Sequence, residues 1–316
     1  MSSQQNSRIA VLLHLLNMDN WQDFVLALKQ INQPFDVLIN LVNGLNSETI
    51  LQQQHDQIRK VFPNADIMVS ENRGMDIGGM FRLFERSLGK GYKALFYAHS
   101  KSDHRWRRSM LTPLTRHSSW AIDTLCQPPL DTHERPAGMV GAYFYAYDYY
   151  NIHPFMDIMS ELDIRLNTSW ERYFVRFPAS RALSLEQRIA HATDACNRNT
   201  DYIRLRPELD LEYAQAFLDD LQSREQAVSP SLLSQMISEK VVSQLPFYPG
   251  NFFWISMQVI EKLSERLDFK TEYESLPLDL SSDQQFQSRA HAWERALPVF
   301  SMKSGLILKT LQDKTT

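Results

Sequence analysis

Apolar residues along the first hundred positions follow two periods in turn. The runs "RIAVLLHLL" (8–16), "FDVLINLV" (35–42), "ADIMVSEN" (65–72) and "YKALFYAHS" (92–100) are short, apolar and rich in branched or aromatic side chains, the pattern of buried strands. Between them, "NWQDFVLALKQI" (20–31), "SETILQQQHDQIRKVF" (47–62) and "GMFRLFERSL" (79–88) repeat apolar positions every three or four residues, the pattern of amphipathic helices. This strand–helix alternation predicts an α/β domain with a mostly parallel sheet covered by helices. Ligands of such sheets sit outside the carboxyl ends of the strands, so attention falls on Asn40 to Asn43, Glu71 to Asp76 and His99 to Asp103.

The texture changes near residue 151. Segments such as "SLEQRIAHATDACNR" (184–198) and "LDLEYAQAFLDDLQSREQ" (209–226) are charged and rich in Leu and Ala, and predict a helical insertion over 151–244. At "LPFYPGNFFWISMQVIEKLSERL" (245–267) the core is expected to resume with a strand and a helix, followed by a late helix in "QQFQSRAHAWERALPVF" (284–300). The expected division is thus an α/β part over 1–150, the insertion over 151–244, the remainder of the α/β domain over 245–300 and a mobile polar tail over 301–316.

Composition narrows the partners. A net charge of −4 argues against a protein that mainly neutralises nucleic-acid phosphates. The two cysteines, Cys126 and Cys196, make neither a disulfide framework nor a zinc spacing, as expected in a reducing cytoplasm. The first apolar run is too short to span a bilayer and is interrupted by His14, so membrane association is expected to be at most peripheral.

Four constellations carry candidate chemistry. In "ENRGMDIGGMF" (71–81) the plainest role of Asp76 is to cap the following helix, while Arg73, the glycine backbone and a helix N-terminus together suit an anionic ligand. In "YAHSKSDHRWRR" (97–108) alternation puts Tyr97, His99 and Lys101 on one side of a strand end, followed by Asp103, Arg105, Arg107 and Arg108; the bland reading is a solvated basic loop. In "FYPGNFFW" (247–254) the aromatics suit a core turn, and Tyr248, Gly250 and Asn251 suit a sugar or base pocket. In "SRAHAWERALP" (288–298), His291, Glu294 and Arg295 share a helix side, either as a surface salt-bridge cluster or with Glu294, or Asp283 upstream, as the base for an acceptor hydroxyl.

In this order, "IAVLLHLLNMDNW", "ENRGMDIGGMF", "YKALFYAHSKSDHRWR", "GMVGAYF", "FYPGNFFWIS" and "AHAWERALP" resemble the rhamnan synthesis F family of bacterial polysaccharide glycosyltransferases, over most of the chain outside 151–244. The resemblance implies a GT-A-like, Rossmann-type fold and a cytoplasmic transferase that moves a hexose or deoxyhexose from a UDP- or dTDP-sugar to a lipid-linked or oligosaccharide acceptor of O-antigen, capsule or rhamnan type. By position it assigns donor binding to Asn72, Arg73, Asp76, His99, Lys101 and Arg107, and sugar or acceptor contacts to Tyr248, Gly250, Asn251 and His291. Glu294, Asp283 and Asp103 are its candidate catalytic carboxylates.

No Asp-x-Asp closes a strand where a GT-A enzyme usually carries one. The expectation is therefore that Lys101, Arg73 and Arg107 stabilise the leaving diphosphate, with no metal ligands assigned and no cofactor required, Mg or Mn being the ordinary alternative. The pattern departs from the family at Met75, Ser102 and Gly250–Asn251, which bears on the donor sugar. The insertion would serve as an acceptor site or as a contact for a second copy or other transferases. The competing expectation is a catalytically silent relative that binds partners or glycan.

Overall fold

The computed structural model describes residues 8–43, 48–100, 104–128, 135–143, 145–146, 152–164, 246–279 and 288–315. Chain order among them is β1 (Ile9–Leu15), α1 (Trp21–Leu28), β2 (Phe35–Val42), α2 (Glu48–Val61), β3 (Asp66–Ser70), α3 (Met75–Ser87), β4 (Ala94–His99), α4 (His104–Arg116) and α5 (Ser118–Cys126). There follow β5 (Ala137–Gly141), β6 (Tyr145–Ala146), α6 (Ile152–Glu161), β7 (Pro246–Phe247), β8 (Phe253–Ser256), α7 (Met257–Ser264), α8 (Phe269–Ser275), α9 (Arg289–Lys303) and β9 (Ile307–Thr310).

Seven strands form one sheet in the order β3-β2-β1-β4-β8-β5-β9. Neighbours pair in parallel except β8, which runs antiparallel to both β4 and β5. A mostly parallel α/β sheet is therefore the observed architecture, as the alternation predicts. The central strands are covered on both faces, which is why β1 and β4 are apolar almost without interruption.

Alternate residues of each strand feed two cores. Val11, Leu13, Phe96 and Ala98 pack with Trp21 and Phe24 of α1 and Leu111 and Leu114 of α4 on one side. Ala10, Leu12, Leu95 and Tyr97 pack with Phe81 and Phe84 of α3 and Trp293 of α9 on the other. Phe81 and Trp293 meet edge to face at 5.0 Å, and burial of each such ring contributes about 2–3 kcal/mol.

The single reversed strand places the site. Because β8 enters the sheet opposite to β4, the turn that precedes it, Pro249–Asn251, is delivered to the edge where β1, β2 and β4 end. Residues far apart in sequence thus meet at the carboxyl edge.

Three expectations need correction. The helix after "ENRG" begins at Met75 and not at Gly79, because Gly78 and Gly79 are inside it and face buried neighbours that leave no room for a Cβ. The basic stretch after His99 is no solvated loop from His104 onward: it is the first half of α4, anchored by Met110, Leu111 and Leu114 in the core. The expected polar tail over 301–316 instead holds the end of α9 and the edge strand β9, which pairs in parallel with β5. Within the expected insertion, α6 packs Phe155, Ile158 and Met159 into the core beside α9, and residues 165–244 lie outside the described residues.

Candidate active site

Four strands carry polar side chains at or near their carboxyl ends, side by side. Ser70 closes β3, Asn40 is on β2, His14 on β1 and His99 on β4, with Asn40 opposite His14 and His14 opposite His99 in the strand register. All four are buried. In strands so apolar, polar groups at this depth need partners, and each of the four side chains makes at least one such contact, although Asn40 Oδ1 has no partner among the described residues.

Asn40 Nδ2 lies 2.9 Å from His14 Nδ1 and donates to Ser70 Oγ at 2.8 Å. His99 Nε2 donates to the carbonyl of Gly250 at 2.6 Å, and the same nitrogen is 3.5 Å from Asp76 Oδ2. Asn251 Nδ2 donates to that carboxylate oxygen at 2.6 Å. The Tyr97 hydroxyl donates to the Asp76 carbonyl, and its ring stacks on His99 at a centroid distance of 6.2 Å. Burial, and then the Asp76 charge, push the Tyr97 phenol well above its usual value, so it acts there as a fixed donor.

Asp76 does not occupy the capping position. Gly74, with φ of 56°, stands before the helix, and Asp76 lies in the first turn with its carboxylate turned to Asn251 and His99. Its charge still lies at the positive end of the helix dipole. Gly250 and Asn251 both have positive φ, 72° and 55°, a shape that glycine adopts freely and asparagine tolerates. That shape lets the Gly250 amide and carbonyl bond in different directions. Glu294 Oε1 accepts the amide at 2.6 Å, while Glu294 Oε2 accepts Arg295 Nη1 at 2.6 Å.

Of the residues expected from sequence, the fold brings Asp76, His99, Gly250, Asn251 and Glu294 into one connected cluster. Glu294 supports it from behind: both its oxygens are bonded, and Arg295 beside it is buried over the Phe247 ring at 4.4 Å instead of sitting in a surface cluster. His291 is nearby on α9, its Nδ1 3.1 Å from the capping Ser288 Oγ. Tyr248 is in the core, its hydroxyl donating to the carbonyls of Met139 and Lys309.

Two expected phosphate-binding cations have internal roles. Arg73 bonds Glu71 at 2.8 Å and the carbonyls of Glu274 and Leu276. It thereby holds a strap, Leu276–Asp279, over the loop: Gly74 N donates to Pro277 O, Asp279 N to Asn72 O, and Asn72 Nδ2 to Asp279 Oδ1. Arg107 is fully buried and donates to Asp23 of α1 at 2.7 Å, a carboxylate that also takes Arg108 at 2.8 Å. Lys101, Asp103 and Asp283 lie outside the described residues.

Sequence reasoning overlooked His14, which stood out only as a break in an apolar run. The signal was available: it is the last position on the α3 side of a strand whose earlier positions on that side, Ala10 and Leu12, are apolar. Among the described residues no group of three or more His, Cys, Asp or Glu is arranged to hold a metal ion, and no helix is long and apolar enough to cross a membrane. Asp76 and His99 alone are two donors, and His99 Nε2 is committed to Gly250.

The segment that supplies Asp76, His99, His14 and Asn40 is also the segment that known sequences match. Residues 1–128 match the family described as rhamnan synthesis protein F. That span runs from β1 to α5. No curated protein matches the chain. Among solved structures, TarS (1–349) of S. aureus is similar at 12% identity and a TM-score of 0.28, over 42% of this chain; the chain covers 34% of that one, about a third of its length. Core-mannan synthase A of Aspergillus fumigatus, in a Mn/GDP form, is similar at 11% identity and a TM-score of 0.39, over 99% of this chain and 74% of that one.

Proposed function

We propose that the chain is a glycosyltransferase that moves a hexose or deoxyhexose from a UDP- or dTDP-sugar to a cell-surface polysaccharide acceptor, with Asp76 and His99 at its reactive centre. The observation that carries this reading is the convergence of Asp76, His99 and the Gly250–Asn251 turn at the carboxyl edge of the sheet, in a chain whose first 128 residues match a rhamnan synthesis family. Open α/β sheets bind ligands at this edge.

The chemistry follows from charge. A departing nucleoside diphosphate gains negative charge, and a preorganised cation facing it lowers the barrier. We assign this role to His99 in its protonated form, with Lys101 beyond it in sequence, because Arg73 and Arg107 are turned to Glu71, the strap carbonyls and Asp23. Asp76 favours the charged form of His99 and presents carboxylate oxygen to donor hydroxyls. No step is assigned to a divalent ion.

The test is release of nucleoside diphosphate from a panel of UDP- and dTDP-sugars with lipid-linked and oligosaccharide acceptors. Release that survives excess EDTA and falls about a hundred-fold in Asp76→Asn and His99→Ala is the expected result. No release across the panel, with no thermal shift on adding UDP or dTDP, would overturn it.

A second reading, a catalytically silent module that binds glycan or partner transferases, is favoured by one observation. The charges of Arg73, Arg107 and Glu294 are all matched within the protein. Glycan binding without nucleotide binding is its signature.

A further inference from the structure

Two imidazoles stand on register-paired positions of β1 and β4, yet their surroundings differ. His99 faces a carboxylate at 3.5 Å and donates from Nε2 to a carbonyl. His14 faces an amide. The orientation of that amide follows from its far side: Ser70 Oγ donates to the Glu71 carbonyl at 3.3 Å, so it accepts from Asn40 Nδ2, and the second Nδ2 hydrogen is left for His14 Nδ1, with Asn40 Oδ1 buried and without a partner among the described residues. An Nδ1 that accepts carries no proton, so His14 is the neutral tautomer with hydrogen on Nε2.

The ring has little freedom to turn. It packs so closely on α3 that a Cβ on Gly79 would lie 1.9 Å from Nδ1. The titratable groups whose charge bears on it are His99 from β4, which opposes a proton on His14, and Asp76 from α3, which favours one; Asn40 and Ser70 on the β2 and β3 side are neutral. Burial first, and His99 second, lower His14 from 6.5 to about 4.

We propose that His14 is a positioning residue of the site: the Glu71–Ser70–Asn40 chain fixes it as a neutral Nε2–H imidazole, so that the one positive charge the two histidines share resides on His99 beside Asp76. This deepens the transferase reading and rests on Asp76 and His99 being its reactive pair. The reason for a second histidine is geometric. A neutral ring with a fixed tautomer fills the space next to His99 without competing for the carboxylate, whereas a charged neighbour would repel the imidazolium that the departing diphosphate needs.

The decisive measurement is nitrogen-15 NMR of the histidine rings in the full chain, followed from about pH 8 down to pH 4. His14 is expected as the Nε2–H tautomer that protonates only near pH 4, after His99 has taken its proton. Asn40→Asp, which offers an acceptor in place of the donor, should flip the tautomer, raise the protonation of His14 by more than one pH unit and depress that of His99. On any sugar nucleotide that the native chain turns over, the same variant should lower kcat about a hundred-fold with little change in KM, and move the acid limb of the pH–rate profile upward. His14 protonating before His99 in the native chain, or an unchanged order in a folded Asn40→Asp variant, would overturn the proposal. Should that variant not fold, the order in the native chain decides alone. A chain that releases no nucleoside diphosphate but shows the predicted order loses the transferase reading and keeps the tautomer assignment.

Discussion

The His14 ring fills the space that a side chain at residue 79 would need: a Cβ built on Gly79 lies 1.9 Å from Nδ1 and 2.3 Å from Cγ. Gly79 is mid-helix, where glycine is normally unfavourable by about 1 kcal/mol relative to alanine. The close approach of α3 to β1 therefore reverses the usual preference. Gly79→Ala should destabilise the fold by about 2 kcal/mol or more, read by urea unfolding. Truncating the ring should relieve it, so the double variant with His14→Ala should be markedly less unstable than the sum of the two single changes. Additive effects would show that the two residues do not press on each other.

Arg73 was expected at a phosphate and is found under a strap. Its guanidinium joins Glu71 to the carbonyls of Glu274 and Leu276, bonds that need a planar fork with several donors. Arg73→Lys should therefore cost about 2 kcal/mol of stability although the charge is kept. Hydrogen exchange at the Gly74 amide, which donates to Pro277, should speed up in the same variant. A lysine variant of native stability would return Arg73 to the list of ligand contacts.

Stability should fall as pH drops from 6.5 to about 4, with His14 as a main cause. The sign follows from linkage: the folded chain holds this ring neutral, the unfolded chain protonates it below 6.5, and the unfolded state therefore binds more protons in that window. The loss amounts to about 3 kcal/mol by pH 4 at 1.36 kcal/mol per pH unit. Replacing His14 by Phe should flatten the dependence in that window, as unfolding curves at pH 7 and pH 4.5 would show. The carboxylate of Asp66, which Arg86 and then Lys90 hold below its ordinary 3.8, acts in the same direction but at lower pH.

Glu272 is buried on α8 and accepts from Arg289 Nε, Arg289 Nη2 and Trp293 Nε1, while Arg289 also reaches Glu161 at the end of α6. Glu272→Ala leaves the Trp293 indole N–H without its acceptor and Arg289 with Glu161 alone, and should cost about 2–3 kcal/mol in thermal unfolding. Glu272→Gln keeps an acceptor for Trp293 and should cost distinctly less. Equal losses in the two variants would mean that the charge, not the hydrogen bonds, sets the stability of this junction.

Period and burial in the sequence determined the strands β1 to β4, their helices and the mostly parallel sheet, because a strand covered on both faces must be apolar throughout and shows it locally. The same logic marked the strand ends as the candidate edge for a ligand and put Asp76 and His99 there. What sequence could not determine was which charges are spent inside the protein. Arg73 and Arg107 look like free cations in a linear reading, and only the folded chain turns Arg73 to Glu71 and the carbonyls of Glu274 and Leu276, and Arg107 to Asp23 of α1. Nor could it place Gly250 and Glu294: their meeting depends on β8 running antiparallel between β4 and β5, a non-local pairing that leaves no periodic trace in the chain. His14 shows both sides, since its break in the apolar run is visible in the sequence, but its meaning arises only where β2, α3 and β4 close around it.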